Sequence, residues 1–123
     1  MSQKRIEFNI TPVPKPRMVR SDRWRHRTCI DRYWVYKDEL NYIARAEDYQ
    51  PGDTLDIIFY LPMPDSWSKK KKEKMIGKPH QQKPDTDNLM KAFKDCLMKK
   101  DETVYDERSR KFWDFKGRIV VIL

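Results

Sequence analysis

The chain has 123 residues, enough for one domain with a modest core. Its formal net charge of +8 and pI of about 9.5 point to an anionic partner, nucleic acid before acidic lipid. No apolar run is long enough to span a bilayer and none opens the chain like a signal peptide. Two cysteines (Cys29, Cys96) and three glycines exclude a disulfide framework, a zinc-ligand spacing and a Gly-rich phosphate loop, so the expectation is a cytoplasmic chain with reduced thiols and no membrane.

In chain order, Arg5 to Ile10 alternates polar and apolar residues and predicts a strand with Ile6, Phe8 and Ile10 on one face. Pro12, Pro14 and Pro16 then impose a stiff, extended loop. Arg17, Arg20, Arg23, Arg25 and Arg27 follow on a loop, with Trp24 and His26 among them. A helix is expected from Asp31, its N-cap, to about Glu47, with Tyr33, Tyr36, Leu40, Ile43 and Ala44 as its apolar stripe. The turn Gln50-Pro51-Gly52-Asp53 ends it, and Thr54 to Leu61 is a strand central to the sheet. A second proline-stiffened loop, Pro62 to Trp67, leads into a short lysine-rich helix from Ser66 to Ile76, stopped by Gly77. Residues 77–84 form an extended connection, and a second long helix runs from Thr86 to about Lys99. Two strands close the chain, Val104 to Trp113 and Arg118 to Leu123. This order predicts an α/β (α+β) fold: one mixed sheet of about four strands covered by helices, in a single domain over residues 1–123.

The segment Lys83 to Asp101 holds the chemistry. A helix turns about 100° per residue, so Leu89, Ala92, Phe93, Cys96 and Leu97 share a buried arc with Met90 at its edge. Asp87, Lys91 and Asp95 fall on the opposite side, and Asp85 lies just before the helix. Each acid by itself has an ordinary explanation. Asp85 or Asp87 suits a helix start, and Asp87–Lys91–Asp95 makes i,i+4 pairs on a solvated face. Together they match a different requirement. Two carboxylates two residues apart, where an extended chain becomes a helix, offer the hard oxygen donors that Mg2+ uses alongside water and substrate phosphate. Lys91, one turn on, is placed to stabilise phosphate charge, and Asp101 to complete the acids.

Lys83-Pro84-Asp85-Thr86-Asp87-Asn88-Leu89, then Lys91, Asp95-Cys96-Leu97 and Asp101-Glu102-Thr103-Val104, resemble the signature of the RusA-type Holliday junction resolvases. Pro12 to Arg17, Ser66 to Lys70, Gly77 to His80 and the end from Lys111 to Leu123 are similar to segments of that family, so the resemblance covers most of the chain. It implies a RusA-like fold and a homodimer that cuts branched DNA, the Holliday junction, in two strands during recombination and repair. It also implies Mg2+, with Mn2+ as a substitute, held by Asp85, Asp87 and one later acid, with Lys91 assisting catalysis. Where the family often has two consecutive aspartates, this chain has Asp101-Glu102; alignment on Val104 selects Asp101, with Glu102 as the alternative ligand. Asp95 matches a recurrent acid and reads as support. The implied setting is a bacterial cytoplasm, with the gene in a host or a phage.

Lys15, Arg17, Arg20, Lys69, Lys70, Lys71, Lys72 and Lys83 are the candidate DNA-binding residues, contacting phosphates without reading sequence. A lysine run is more often simply a solvated helix face. Trp24 and Trp67 are open to stacking on unpaired bases or to packing within the protein. The rival functions are an enzyme selective for flaps or forks, a non-catalytic module that binds branched DNA, and a basic interaction protein whose aspartates merely pair with lysines.

Overall fold

The computed structural model describes residues 4–17 and 28–123. Four strands, β1 (Arg5–Phe8), β2 (Thr54–Pro62), β3 (Asp106–Asp114) and β4 (Arg118–Ile122), form one mixed sheet in the order β1-β4-β2-β3. As expected, β2 is central: it pairs in parallel with β3 and antiparallel with β4, and β4 pairs antiparallel with β1. The described helices are α1 (Thr28–Ala46), α2 (Lys69–Met75) and α3 (Thr86–Leu97).

The period-2 alternation of β2 sends Leu55, Ile57, Phe59 and Leu61 to one face of the sheet. Ile119 and Val121 of β4 and Phe8 of β1 join them through the strand register. This face meets Tyr33, Tyr36, Leu40 and Ala44 of α1 and Leu89, Met90, Ala92, Phe93 and Cys96 of α3. Phe8 and Phe93 meet edge to face with ring centres 5.9 Å apart. Burial of each large aliphatic or phenylalanine side chain among these is worth about 1.5–3 kcal/mol relative to exposure. The apolar arc thus holds α3 on the sheet and leaves its opposite arc in solvent. Cys29 and Cys96 are both free, and Cys96 packs in the core.

Several boundaries differ from expectation, each for a local reason. β1 ends at Phe8, where the Ile10 N–H turns back to the Phe8 carbonyl at 2.8 Å, although Ile10 still packs on the core. Asp31 lies inside the first turn of α1, not ahead of it. α3 stops at Leu97 because Met98 is extended, and the Asn41 side chain of α1 donates to the Cys96 carbonyl at 3.0 Å, satisfying one of the orphan groups of a helix end. β3 begins at Asp106 because Asp101–Thr103 fold into a 3-10 turn.

The largest difference is the connection after α2. Ser68 caps that helix by accepting from Lys71 N–H at 3.1 Å, and Gly77 ends it with φ 77°, a left-handed conformation that glycine adopts without a Cβ penalty. The chain then runs antiparallel along the outer edge of β3. Gly77 N–H donates to the Trp113 carbonyl, Trp113 N–H to the Lys78 carbonyl, and His80 N–H to the Lys111 carbonyl, at 2.9, 3.0 and 3.1 Å. The segment covers an edge that would otherwise be open and delivers the chain to the start of α3.

A second close approach places the proline loop. A Cβ at Gly117, in the turn between β3 and β4, would lie 2.4 Å from Thr11 Oγ1 and 2.5 Å from Thr11 Cα. Only glycine lets that turn sit against the beginning of the loop.

Candidate active site

Asp85 occupies the N-cap position of α3 with extended backbone (φ −69°, ψ 150°), and its carbonyl accepts the first helical bond from Leu89 N–H at 3.1 Å. Its carboxylate makes no capping hydrogen bond. The ordinary explanation for an aspartate here, a side-chain cap, is therefore not the one realised. The exposed carboxylate instead borders a cleft of about 500 Å3 lined by Pro14, Lys83, Pro84 and Asn88. Pro14 comes from the proline loop, so two segments far apart in sequence make the walls.

Asp87 and Lys91 lie on the solvent arc of α3, with Lys91 Nζ 3.6 Å from the Asp87 carboxylate. Both are largely exposed, so the pair contributes little to stability and leaves both groups accessible. Asp101 opens the 3-10 turn ahead of β3, and Glu102 follows it; both are exposed. Lys94 of α3 reaches Glu107 of β3 at 2.9 Å, tying the helix to the strand that follows this turn.

Asp95, two turns beyond Asp87, is committed elsewhere. Tyr33 Oη donates to it at 2.6 Å and Lys15 Nζ approaches at 3.4 Å. The Tyr33 hydrogen bond, helped by Lys15, holds the Asp95 carboxyl below its usual range despite some burial. Burial first, then the bond to Asp95, pushes the Tyr33 hydroxyl far above its usual value. The expectation that Asp95 is support matches this arrangement.

Lys111, which lies within the closing strand β3, is part of this region. Its Nζ donates to the carbonyls of Gln82 and Pro84 at 2.5 and 2.7 Å. Burial lowers the Lys111 pKa, while the nearby Asp85 charge favours the ammonium. Beside it, His80 is buried with its ring 4.1 Å from that of Trp113. Burial, then the Lys111 charge, lowers the His80 pKa and favours the neutral imidazole.

Among the described residues no group of three His, Cys, Asp or Glu side chains is placed to hold a metal ion. Asp85, Asp87 and Asp101 thus do not converge as a ready-made trio. Their donor chemistry still suits Mg2+, which one or two carboxylates commonly hold while water and substrate phosphate supply the remaining oxygens.

Of the candidate DNA-binding residues, Lys83 lines the cleft and Lys69, Lys70 and Lys71 are exposed on α2. Lys72 is half-buried. Lys15 is engaged with Asp95, and Arg17 borders a second hollow between the proline loop and α1. Arg20, together with Arg23, Trp24, Arg25, His26 and Arg27, lies outside the described residues. Trp67 packs on Trp113, with ring centres 4.8 Å apart, and carries Lys71 Nζ 4.2 Å from its ring centre. No described helix is long and apolar enough to cross a membrane.

Compared with known proteins, residues 7–123 match a family model described as endodeoxyribonuclease RusA. No curated protein matches the chain.

Proposed function

Since this chain belongs to the RusA family of Holliday junction-resolving endodeoxyribonucleases, we propose that it is an Mg2+-dependent enzyme that acts as a homodimer and resolves the junction by paired cuts. Mn2+ is a chemically similar substitute, and the bacterial cytoplasm the compartment. A two-fold dimer suits a junction of approximate two-fold symmetry, because two equivalent sites face two equivalent strands.

The observation that carries this reading is the Asp85 carboxylate: at the helix start, exposed, unused as a cap, and beside a cleft that contains Lys83. Asp85 and Asp87 are the assigned metal-binding acids, with Asp101 as the third and Glu102 as its alternative. A divalent ion held there supplies an activated water and neutralises phosphate charge. The protein's own groups do the rest. Lys91 presents its ammonium one turn from Asp87, where it stabilises charge developing on the phosphate. Lys83 draws a strand phosphate toward the cleft, and Lys69, Lys70 and Lys71 extend the positive surface along a junction arm.

The test is cleavage of a four-way junction, a flap and a linear duplex, with and without Mg2+, by the wild type and Asp85→Asn. We expect junction-selective cutting that requires the ion. Asp85→Asn should lose at least about 100-fold in rate while junction binding is retained. Cutting that survives the substitution refutes the site assignment. Binding without cutting by the wild type identifies a non-catalytic module, and preferential flap cutting identifies a different selectivity.

A further inference from the structure

From the contacts of Lys111 we infer that this residue is a positioning residue for the reaction: its ammonium clamps the loop that carries Asp85 and sets the direction of that carboxylate. The inference rests on the role proposed for Asp85 and adds a residue to it.

The strand register puts Lys111 where it can act. Lys111 is the partner of Phe59 in the parallel β2–β3 pair. Residues opposite one another in a sheet project to the same face, and Phe59 faces the core beneath α1 and α3. The Lys111 side chain therefore leaves the sheet on the helix side, toward the chain entering α3. There Nζ meets the Gln82 carbonyl at 2.5 Å and the Pro84 carbonyl at 2.7 Å. The main chain of the same residue holds the same segment, since His80 N–H donates to the Lys111 carbonyl at 3.1 Å. One residue thus grips residues 80, 82 and 84 in succession.

The Pro84 carbonyl matters most. It belongs to the peptide unit joining Pro84 to Asp85, and that unit is planar. Holding its oxygen therefore fixes the plane from which Asp85 departs. Few other groups are available for the task. Pro84 has no N–H to give to a neighbour, and the Asp85 side chain makes no capping bond that would orient it. A lysine suits the clamp because its ammonium has three donors around one nitrogen, enough for two carbonyls. Lys111 is also half-buried, held within the fold and not extended into solvent for DNA.

A purely structural lysine and a positioning lysine differ in what their removal changes. The experiment uses the full chain and compares wild type, Lys111→Met, Lys111→Arg and Asp85→Asn. Four quantities are read: melting temperature, junction Kd in EDTA, single-turnover cleavage rate at saturating enzyme, and Mn2+ affinity by calorimetry in the absence of DNA. Lys111→Met keeps the aliphatic stem and loses the donors. It should bind junction within about twofold of wild type, because uniform phosphate contacts are untouched. Its single-turnover rate should fall about 10- to 100-fold, the effect of a misplacement near 1 Å. Its Mn2+ affinity should weaken in parallel. Lys111→Arg should lie between the two, since a guanidinium keeps the charge but cannot place one nitrogen between both carbonyls.

A Lys111→Met enzyme that cuts at the wild-type rate overturns the inference. So does a rate loss matched by an equal loss of junction binding, which makes Lys111 a phosphate contact. If Lys111→Met does not fold, Lys111→Arg decides: wild-type rate and Mn2+ affinity overturn the clamp, and a severalfold loss of both at unchanged junction Kd supports it. Asp85→Asn separates the two levels. If it still cuts, the proposed site fails; if it is inactive while Lys111→Met is normal, only the clamp fails.

Discussion

Asp87 and Asp95 lie two turns apart on one side of the same helix, and the fold treats them in opposite ways. Asp87 has Lys91 at 3.6 Å, and their side chains are 75% and 62% exposed. Asp95 accepts a 2.6 Å bond from Tyr33 and is approached by Lys15, which joins α3 to α1 and to the proline loop. A carboxylate whose lone pairs are committed to its own protein serves packing. One left largely in solvent remains available to a cation or a phosphate-bound ion. Spacing makes these residues equivalent; surroundings separate them.

Exchanging the two losses should break the comparison most visibly. Asp87→Asn is expected to reduce junction cleavage about 100-fold or more, with thermal stability almost unchanged because an exposed pair contributes less than about 1 kcal/mol. Asp95→Ala should do the reverse: a modest change in cutting and a loss of about 1 kcal/mol, read as a fall of roughly 4 °C in Tm. Parallel cleavage assays and melting curves check both. Equal loss of activity in the two variants would show that the contrast in surroundings does not sort function.

Next in size is Gly117→Ala. The added Cβ meets Thr11 at its backbone, at the start of the loop that brings Lys15 to Asp95 and Pro14 to the cleft. Because that contact is with main chain as well as side chain, overpacking of about 1–3 kcal/mol is expected. Urea denaturation measures it, and a variant as stable as wild type would show that the turn and loop separate without cost.

The smallest effects are in pH dependence. The Asp95 pKa is lower in the folded chain than in the unfolded one, so the unfolded chain takes up that proton first. The associated stability is present above the ordinary carboxylate pKa of about 3.9 and is lost as pH falls through the lower folded value. Tyr33 is shifted the other way. Its contribution is complete below the ordinary tyrosine pKa of about 10 and is lost as pH rises through the higher folded value. Asp95→Asn should therefore flatten the acid limb of a stability profile, and Tyr33→Phe the alkaline limb. Melting curves across both limbs separate the two causes: the acid limb reads chiefly the Tyr33–Asp95 hydrogen bond, and the alkaline limb chiefly the burial of Tyr33.

Much of this site was legible in the residues. The 3.6-residue period places Leu89, Phe93 and Cys96 inward and Asp87 and Lys91 outward, and the apolar, turn-bounded run of β2 marks it as the central strand. Both readings succeed because burial of a repeating face depends on local periodicity. Lys111 carried no comparable signal. Its partners are backbone carbonyls 29 and 27 residues away, and a carbonyl looks the same at every position in a sequence. The pairing of residues 77–80 with β3 escaped for the same reason: the segment has no alternating pattern, and its bonds run through main-chain groups.

By itself, then, the sequence determined the order of elements, the amphipathic arc of α3 and the set of acids near its start, because these depend on residue type and spacing over a few turns. Tertiary structure alone decided that Asp85 is not consumed as a cap, that Asp95 is bound to Tyr33 and Lys15, and that Lys111 grips the chain beside the cleft. Those outcomes depend on which distant groups the sheet register and helix packing bring within hydrogen-bond reach, and a contact of about 3 Å is set by the whole fold, not by neighbours in the chain.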